Sequence, residues 1–166
     1  MTAMQAEERT GPGVGAALLA FAIFGFVAAG AVILSQRGGW SAGDSGPMES
    51  FRESADGGRV EMVAIMRHVQ RRSEAQSFRR AEIVTIVGRS TIDLSGAHMV
   101  GEKGRLEVVV LAGRATVKVP PQWAVVTGDS LTLGALENRA SRAEAEPART
   151  LRLDAVILGG LLEVTH

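Results

Sequence analysis

The chain has no cysteine, which excludes disulfides, zinc–thiolate sites and thiol catalysis. Tyrosine is absent and aromatics are 4% of the residues, so base-stacking platforms and aromatic sugar clefts are not expected. Neither sign of charge is in excess. Lys+Arg and Asp+Glu both total 18, which leaves no basic surface of the kind nucleic acid requires. His68, His98 and His166 have no metal-ligand spacing, and no cysteine supports them. Gly101-Glu102-Lys103-Gly104 lacks the glycines and the following helix start of a phosphate cradle and reads as a turn. Asp93, Ser95 and His98 contain the residue types of a triad, but His98 sits in a glycine-flanked loop without a pocket signature. The expectation is a chain with no catalytic residues, no cofactor and no metal.

One stretch lacks charge altogether. Gly11 to Leu34 reads GPGVGAALLAFAIFGFVAAGAVIL, 24 residues without a charged side chain. As a helix it reaches ~36 Å at ~1.5 Å per residue, enough to cross a hydrocarbon core of roughly 30 Å with some tilt. Trp40 follows at headgroup depth, where indole is favoured. A cleaved signal peptide is the rival reading, because Ala29-Gly30-Ala31 resembles a cleavage site. Against it, the apolar run continues through Val32, Ile33 and Leu34, and Arg9 stands beside Glu7 and Glu8 instead of in a positive block. The expected organisation is a tail (1–10), a single membrane-spanning helix (11–34), a flexible linker (35–58) and one soluble domain (59–166). Arginines flank the run more heavily on its C-terminal side, from Arg37 and Arg52 onward, which places that domain in the cytoplasm.

The linker, SQRGGWSAGDSGPMESFRESADGG, is rich in Gly, Ser and Asp and has no hydrophobic period. Beyond it a repeat emerges. Ile86-Val87-Gly88-Arg89, Leu111-Ala112-Gly113-Arg114, Thr132-Leu133-Gly134-Ala135 and Ile157-Leu158-Gly159-Gly160 each place a glycine after apolar residues and before alternating ones. From Arg67, in a first degenerate copy, to Gly88, Gly113, Gly134 and Gly159, the spacings alternate 21, 25, 21, 25. Periods near that length mark stacked units. β-branched runs such as Ile83-Val84-Thr85-Ile86-Val87 and Val108-Val109-Val110 make each unit a strand pair, and one glycine per unit reads as its corner. Met62, Ile65, Met66 and Val69 also fit a helical period, but the repeat register favours strand. The fold class expected is an all-β domain of short stacked units, β-solenoid-like, behind one transmembrane helix. Gly88, Gly113, Gly134 and Gly159 are its structural corner glycines. Arg67, Arg71, Arg72, Arg79 and Arg80 form a basic segment that can face anionic lipid headgroups.

The residues from about Val60 to Val164 resemble the C-terminal domain of LiaF-like proteins, the cell-wall-active-antibiotics response family. The resemblance rests on the hydrophobic-Gly-x-hydrophobic-x-hydrophobic units, on Phe78-Arg79-Arg80-Ala81-Glu82, on Ile92-Asp93-Leu94 and on Val117-Lys118-Val119-Pro120-Pro121-Gln122-Trp123. It implies a β-solenoid-like fold, membrane attachment and a regulatory role in envelope stress, with a membrane sensor kinase as protein partner. Many members carry several N-terminal spans, and this chain has one. The expected function is a membrane-anchored, non-catalytic β-domain acting by protein–protein contact, through exposed strand edges or loops. The rival is a homo-oligomeric, bactofilin-type β-solenoid that forms filaments at the membrane.

Overall fold

The computed structural model describes residues 48–143 and 149–166. The tail, the apolar run 11–34 and the linker as far as residue 47 lie outside the described residues. Among the described residues no helix is long and apolar enough to cross a membrane.

The described chain is all β, with no helix. Its strands are β1 (Met48–Glu53), β2 (Arg59–Ile65), β3 (His68–Arg72), β4 (Arg80–Ile86), β5 (Arg89–Asp93), β6 (Lys103–Leu111), β7 (Arg114–Lys118), β8 (Trp123–Asn138) and β9 (Arg149–Thr165). β2, β4 and β6 pair in parallel, and so do β3, β5 and β7. β9 is long enough to serve both rows: its first half pairs with β6 and its second half with β7. β8 pairs with β9 along both halves. The result is a β-solenoid whose tiers are β2/β3, β4/β5, β6/β7, β9 and β8.

Chain order and stacking order differ at the end. β9 enters between β6/β7 and β8, so the fourth tier in sequence is the outermost in space. The inward positions explain this. In β9 they are Leu151, Leu153, Ala155, Ile157, Leu162 and Val164, all buried. In β8 the corresponding middle positions are Ser130 and Thr132, opposite Ala155 and Ile157, and both are exposed. A tier with polar inward residues belongs where only one of its sides meets the core.

Inside, columns of like residues run through the tiers, for example Val60–Ala81–Leu106–Leu153 and Met62–Ile83–Val108–Ala155. The third side of each coil is irregular. Its backbone still bonds from tier to tier: the Ser73 N–H donates to the Asp93 carbonyl, Leu94 to Lys118 and Val119 to Thr165, at 2.8–2.9 Å. Phe78 and Trp123 close this side, both wholly buried, with ring centroids 4.9 Å apart.

One expectation needs correcting. The stretch 35–58 reads as an unpaired tether, yet Met48–Glu53 is a strand that pairs antiparallel with β2 and covers its outer edge. Its residues, MESFRE, have no apolar period because the strand lies at the margin, with every residue half-buried or exposed. Backbone pairing and the packing of half-buried Phe51 against the core hold it there.

Candidate interaction surface

The corner between the two rows of strands repeats in every tier but that of β8 as two residues of different roles. The first takes a left-handed backbone: Met66 (φ 51°), Val87 (φ 48°), Ala112 (φ 51°) and Gly159 (φ 69°). The second lies against the tier before it. A Cβ on Gly113 would meet the Gly88 carbonyl oxygen at 2.6 Å, and one on Gly160 would meet the Gly113 carbonyl oxygen at 2.5 Å. Gly88 faces Arg67, and Gly134 faces Gly160, in the same way. The column is therefore Arg67, Gly88, Gly113, Gly160, Gly134. Arg67 bears a side chain because no tier precedes it. The last unit uses Gly160 for the contact, while Gly159 fills the left-handed position. Sequence reasoning missed that position in the other tiers, because Met66, Val87 and Ala112 are residues that rarely adopt it. Hydrogen bonds hold them there: the Met66 N–H donates to Ile86, Val87 to Leu111 and Ala112 to Leu158.

On the solvent face of the β2–β4–β6–β9–β8 row, each column keeps one chemistry from β2 to β9. Two are aliphatic throughout: Val63, Val84, Val109, Val156, Leu131, and next to the corner Ile65, Ile86, Leu111, Leu158, Leu133. Exposure increases toward the corner and the β8 end. Met66 is 48% exposed, Val87 53% and Leu133 73%, whereas Val84 is 7% exposed.

Farther from the corner run two charged columns, Arg59–Arg80–Arg105–Arg152 and Glu61–Glu82–Glu107–Asp154. They neutralise one another. Arg59 and Arg80 reach Glu82 at 2.7 and 2.8 Å, and Arg105 and Arg152 hold Asp154 at 2.9 and 3.0 Å. Burial pushes the Glu82 carboxyl above its ordinary range despite the Arg59 bond. Burial also raises Asp154, but the Arg152 bond and the Asp129 N–H outweigh it and leave that carboxyl below the usual value.

The five arginines singled out in the sequence do not form one patch. Arg71 ion-pairs with Glu49 of β1, and Arg72 with Asp93. Arg80 belongs to the charged ladder with Glu82 and Glu107. Arg79 precedes β4, at the opposite end of the sheet from Arg67, which occupies the corner. Arg67 instead shares a shallow surface depression with His68, Arg89 and Arg114, around Gly88 and Gly113. His68, Arg89 and Arg114 are stacked partners in β3, β5 and β7. The sequence signal was available, since Arg89 and Arg114 each follow a corner glycine, but it becomes a cluster only once the tiers stack.

Asp93 accepts bonds from Ser95 Oγ, the Ser95 N–H and Arg72, and its carboxyl is pulled down to about 2. A carboxyl with a lowered folded-state value stabilises the fold above its ordinary value of 3.8 and loses that contribution as pH falls toward about 2. We expect Asp93→Asn to flatten the fall in melting temperature across that window relative to the unaltered chain. Parallel curves would show that these bonds add no stability.

Strand β8 is an open edge. Among the described residues it pairs with β9 alone. Near its start the Val125 N–H donates to Ala140 and its carbonyl accepts from Asn138 Nδ2, so the free stretch runs from residue 126 to 137. Among the described residues no group of His, Asp and Glu is arranged to hold a metal ion. No known family model matches the sequence, no curated protein matches it, and no solved structure matches the chain.

Proposed function

We propose that this chain is a membrane-anchored, non-catalytic β-solenoid that regulates by binding a protein partner. The single observation that carries the reading is the open edge of β8. From residue 126 to 137 the strand has no second neighbour among the described residues, although the Asp129 N–H is taken by Asp154, and Leu131 and Leu133 stand exposed beside it. Such an edge recruits a strand from another chain through main-chain bonds, with side-chain contacts setting specificity. Asp129 and Glu137 leave it only lightly charged. The resemblance to LiaF-like domains supplies the setting, envelope-stress signalling beside a membrane sensor kinase, with the apolar run 11–34 as anchor and the domain on the cytoplasmic side.

End-to-end polymerisation of bactofilin type has less support. It needs both ends of the solenoid open, and β1 covers β2 at the first tier. A first tier that β1 covers over β2, leaving only the short β3 open, favours a finite complex over a filament.

A photo-crosslinking residue at Leu133 of the intact membrane-bound chain tests the reading. We expect one discrete adduct with another protein, absent when the residue sits at Thr116 in the interior strand β7, and lost when Thr132→Pro removes a backbone donor from the edge. No adduct from any β8 position between 126 and 137 removes the proposal. An adduct only with a second copy of the chain moves the function to self-association.

A further inference from the structure

We infer that the corner of the solenoid is a docking surface for an anionic lipid bilayer, with Met66, Val87 and Leu158 facing the acyl chains and Arg67, Arg89 and Arg114 facing the phosphates. The inference uses the proposed anchor only to bring the domain near lipid, and it concerns a different surface from the β8 edge.

Three observations carry it. The first is the pairing of an aliphatic column with a cationic one. The outward column Ile65–Ile86–Leu111–Leu158–Leu133 runs along one side of the corner, and Met66 and Val87 project from the corner itself. On the other side stand Arg67, His68, Arg89 and Arg114 around one depression. Interfacial surfaces have this composition, apolar residues that enter the boundary with cations placed at phosphate level.

The second is the lack of acid there. In the ladder on the same sheet each arginine meets a carboxylate within 2.7–3.0 Å. Arg67, Arg89 and Arg114 have no ion pair among the described residues. The outward column beside them is Gln70, Thr91 and Thr116, neutral in the same tiers. Three cations without an ion pair among the described residues therefore lie beside the exposed side chains of Met66 and Val87. A protein partner of matching shape is less well served, because the guanidinium groups sit in an open depression with no enclosed pocket for an anchor residue.

The third is where the chain enters. Met48, the first described residue, pairs with Ile65 at the corner end of the aliphatic column. Residues 35–47 separate it from Leu34. Those 13 residues span at most ~45 Å. A tether of that length lets the proposed anchor bring this corner to the bilayer surface.

The absence of cysteine makes the test direct. The full chain, carrying Val87→Cys labelled with an environment-sensitive fluorophore, is reconstituted into vesicles of phosphatidylcholine alone or mixed with phosphatidylglycerol, each with and without brominated lipid. We expect bromine quenching of the Val87 probe in the anionic vesicles, and none for a Lys118→Cys probe on the second sheet. Each arginine near the surface is worth roughly fivefold in the docking equilibrium, so Arg89→Glu with Arg114→Glu should abolish the quenching. Equal exposure of the Val87 and Lys118 probes in anionic vesicles overturns the inference. So does shielding of Val87 that rises with protein concentration and not with phosphatidylglycerol, which assigns the corner to a second copy. Flotation of the vesicles separates the two proposals: a chain that floats without quenching retains its anchor and loses this surface, whereas a chain that does not float loses the anchor.

Discussion

Trp123→Ala is expected to lower the melting temperature of the domain by roughly 10–20 °C. Trp123 is 0% exposed and lies 4.9 Å from the Phe78 ring, the only aromatic contact on the irregular third side among the described residues. That side has no strand ladder across its width. Its tiers are held by scattered backbone bonds, such as Phe78 N–H to His98 and Val100 N–H to Phe78, and by what its side chains fill. Removing the indole leaves a cavity that flanking backbone, fixed in tiers, cannot close. Truncating a buried Trp costs about 3–5 kcal/mol, and each of these moves a unit of this size by about 4 °C. Trp123→Phe keeps most of the volume and should recover more than half of the loss. Thermal unfolding of the intact chain in detergent, followed by the far-ultraviolet β signal, measures both. A fall of less than about 3 °C for Trp123→Ala would mean that the third side contributes little to stability.

The β character of the domain and its repeat are legible in the sequence because both depend on local pattern. Alternation in Arg89–Asp93 and Arg114–Lys118 follows the pleat, and the spacing of Gly88 and Gly113 is set by the circumference of one coil. The order of the tiers is not local. A period of 21 or 25 residues says that units stack, not which pairs with which. The outermost place of β8 becomes readable only by asking which unit has polar inward residues, and the bulge at Gly128-Asp129 hides the phase needed to ask it. β1 was invisible for a different reason: an edge strand whose one core contact is Phe51 leaves no hydrophobic period.

The interaction surface was legible in the same partial way. Basic residues close in sequence, such as Arg71, Arg72, Arg79 and Arg80, were separated by the coil and mostly neutralised by Glu49, Asp93 and Glu82. Basic residues far apart in sequence, Arg67, Arg89 and Arg114, were brought together by stacking. In a solenoid a surface is assembled from one position per period, so clusters along the chain are poor guides to clusters in space.

Gly113→Val is expected to be far more damaging than any change of an exposed neighbour. Gly113 occupies the central tier of the corner column, with the Gly88 carbonyl oxygen 2.6 Å and the Gly88 nitrogen 3.0 Å from where a Cβ would stand, and Thr85 Cγ2 at 3.3 Å. The first two are backbone atoms. They bond onward, since the Arg114 N–H donates to Gly88 and the Leu161 N–H to Gly113 at 2.9 Å. Neither tier can yield without breaking a rung of the ladder, so the variant should lose about 3 kcal/mol or more, roughly 10 °C in melting temperature. Gly159→Ala isolates the other property of the corner. No atom lies within 4 Å of its Cβ position, so only its φ of 69° resists, at about 1–2 kcal/mol. Val87 and Ala112 already carry that strain in equivalent positions. Arg114→Ala, exposed and without an ion pair among the described residues, should change the melting temperature by less than about 2 °C. The expected order is therefore Gly113→Val, then Gly159→Ala, then Arg114→Ala. Equal melting of the Gly113 and Arg114 variants would refute close backbone approach at the corner. The backbone ladder sets adjacent tiers about 4.8 Å apart, which leaves no room for a Cβ at the corner.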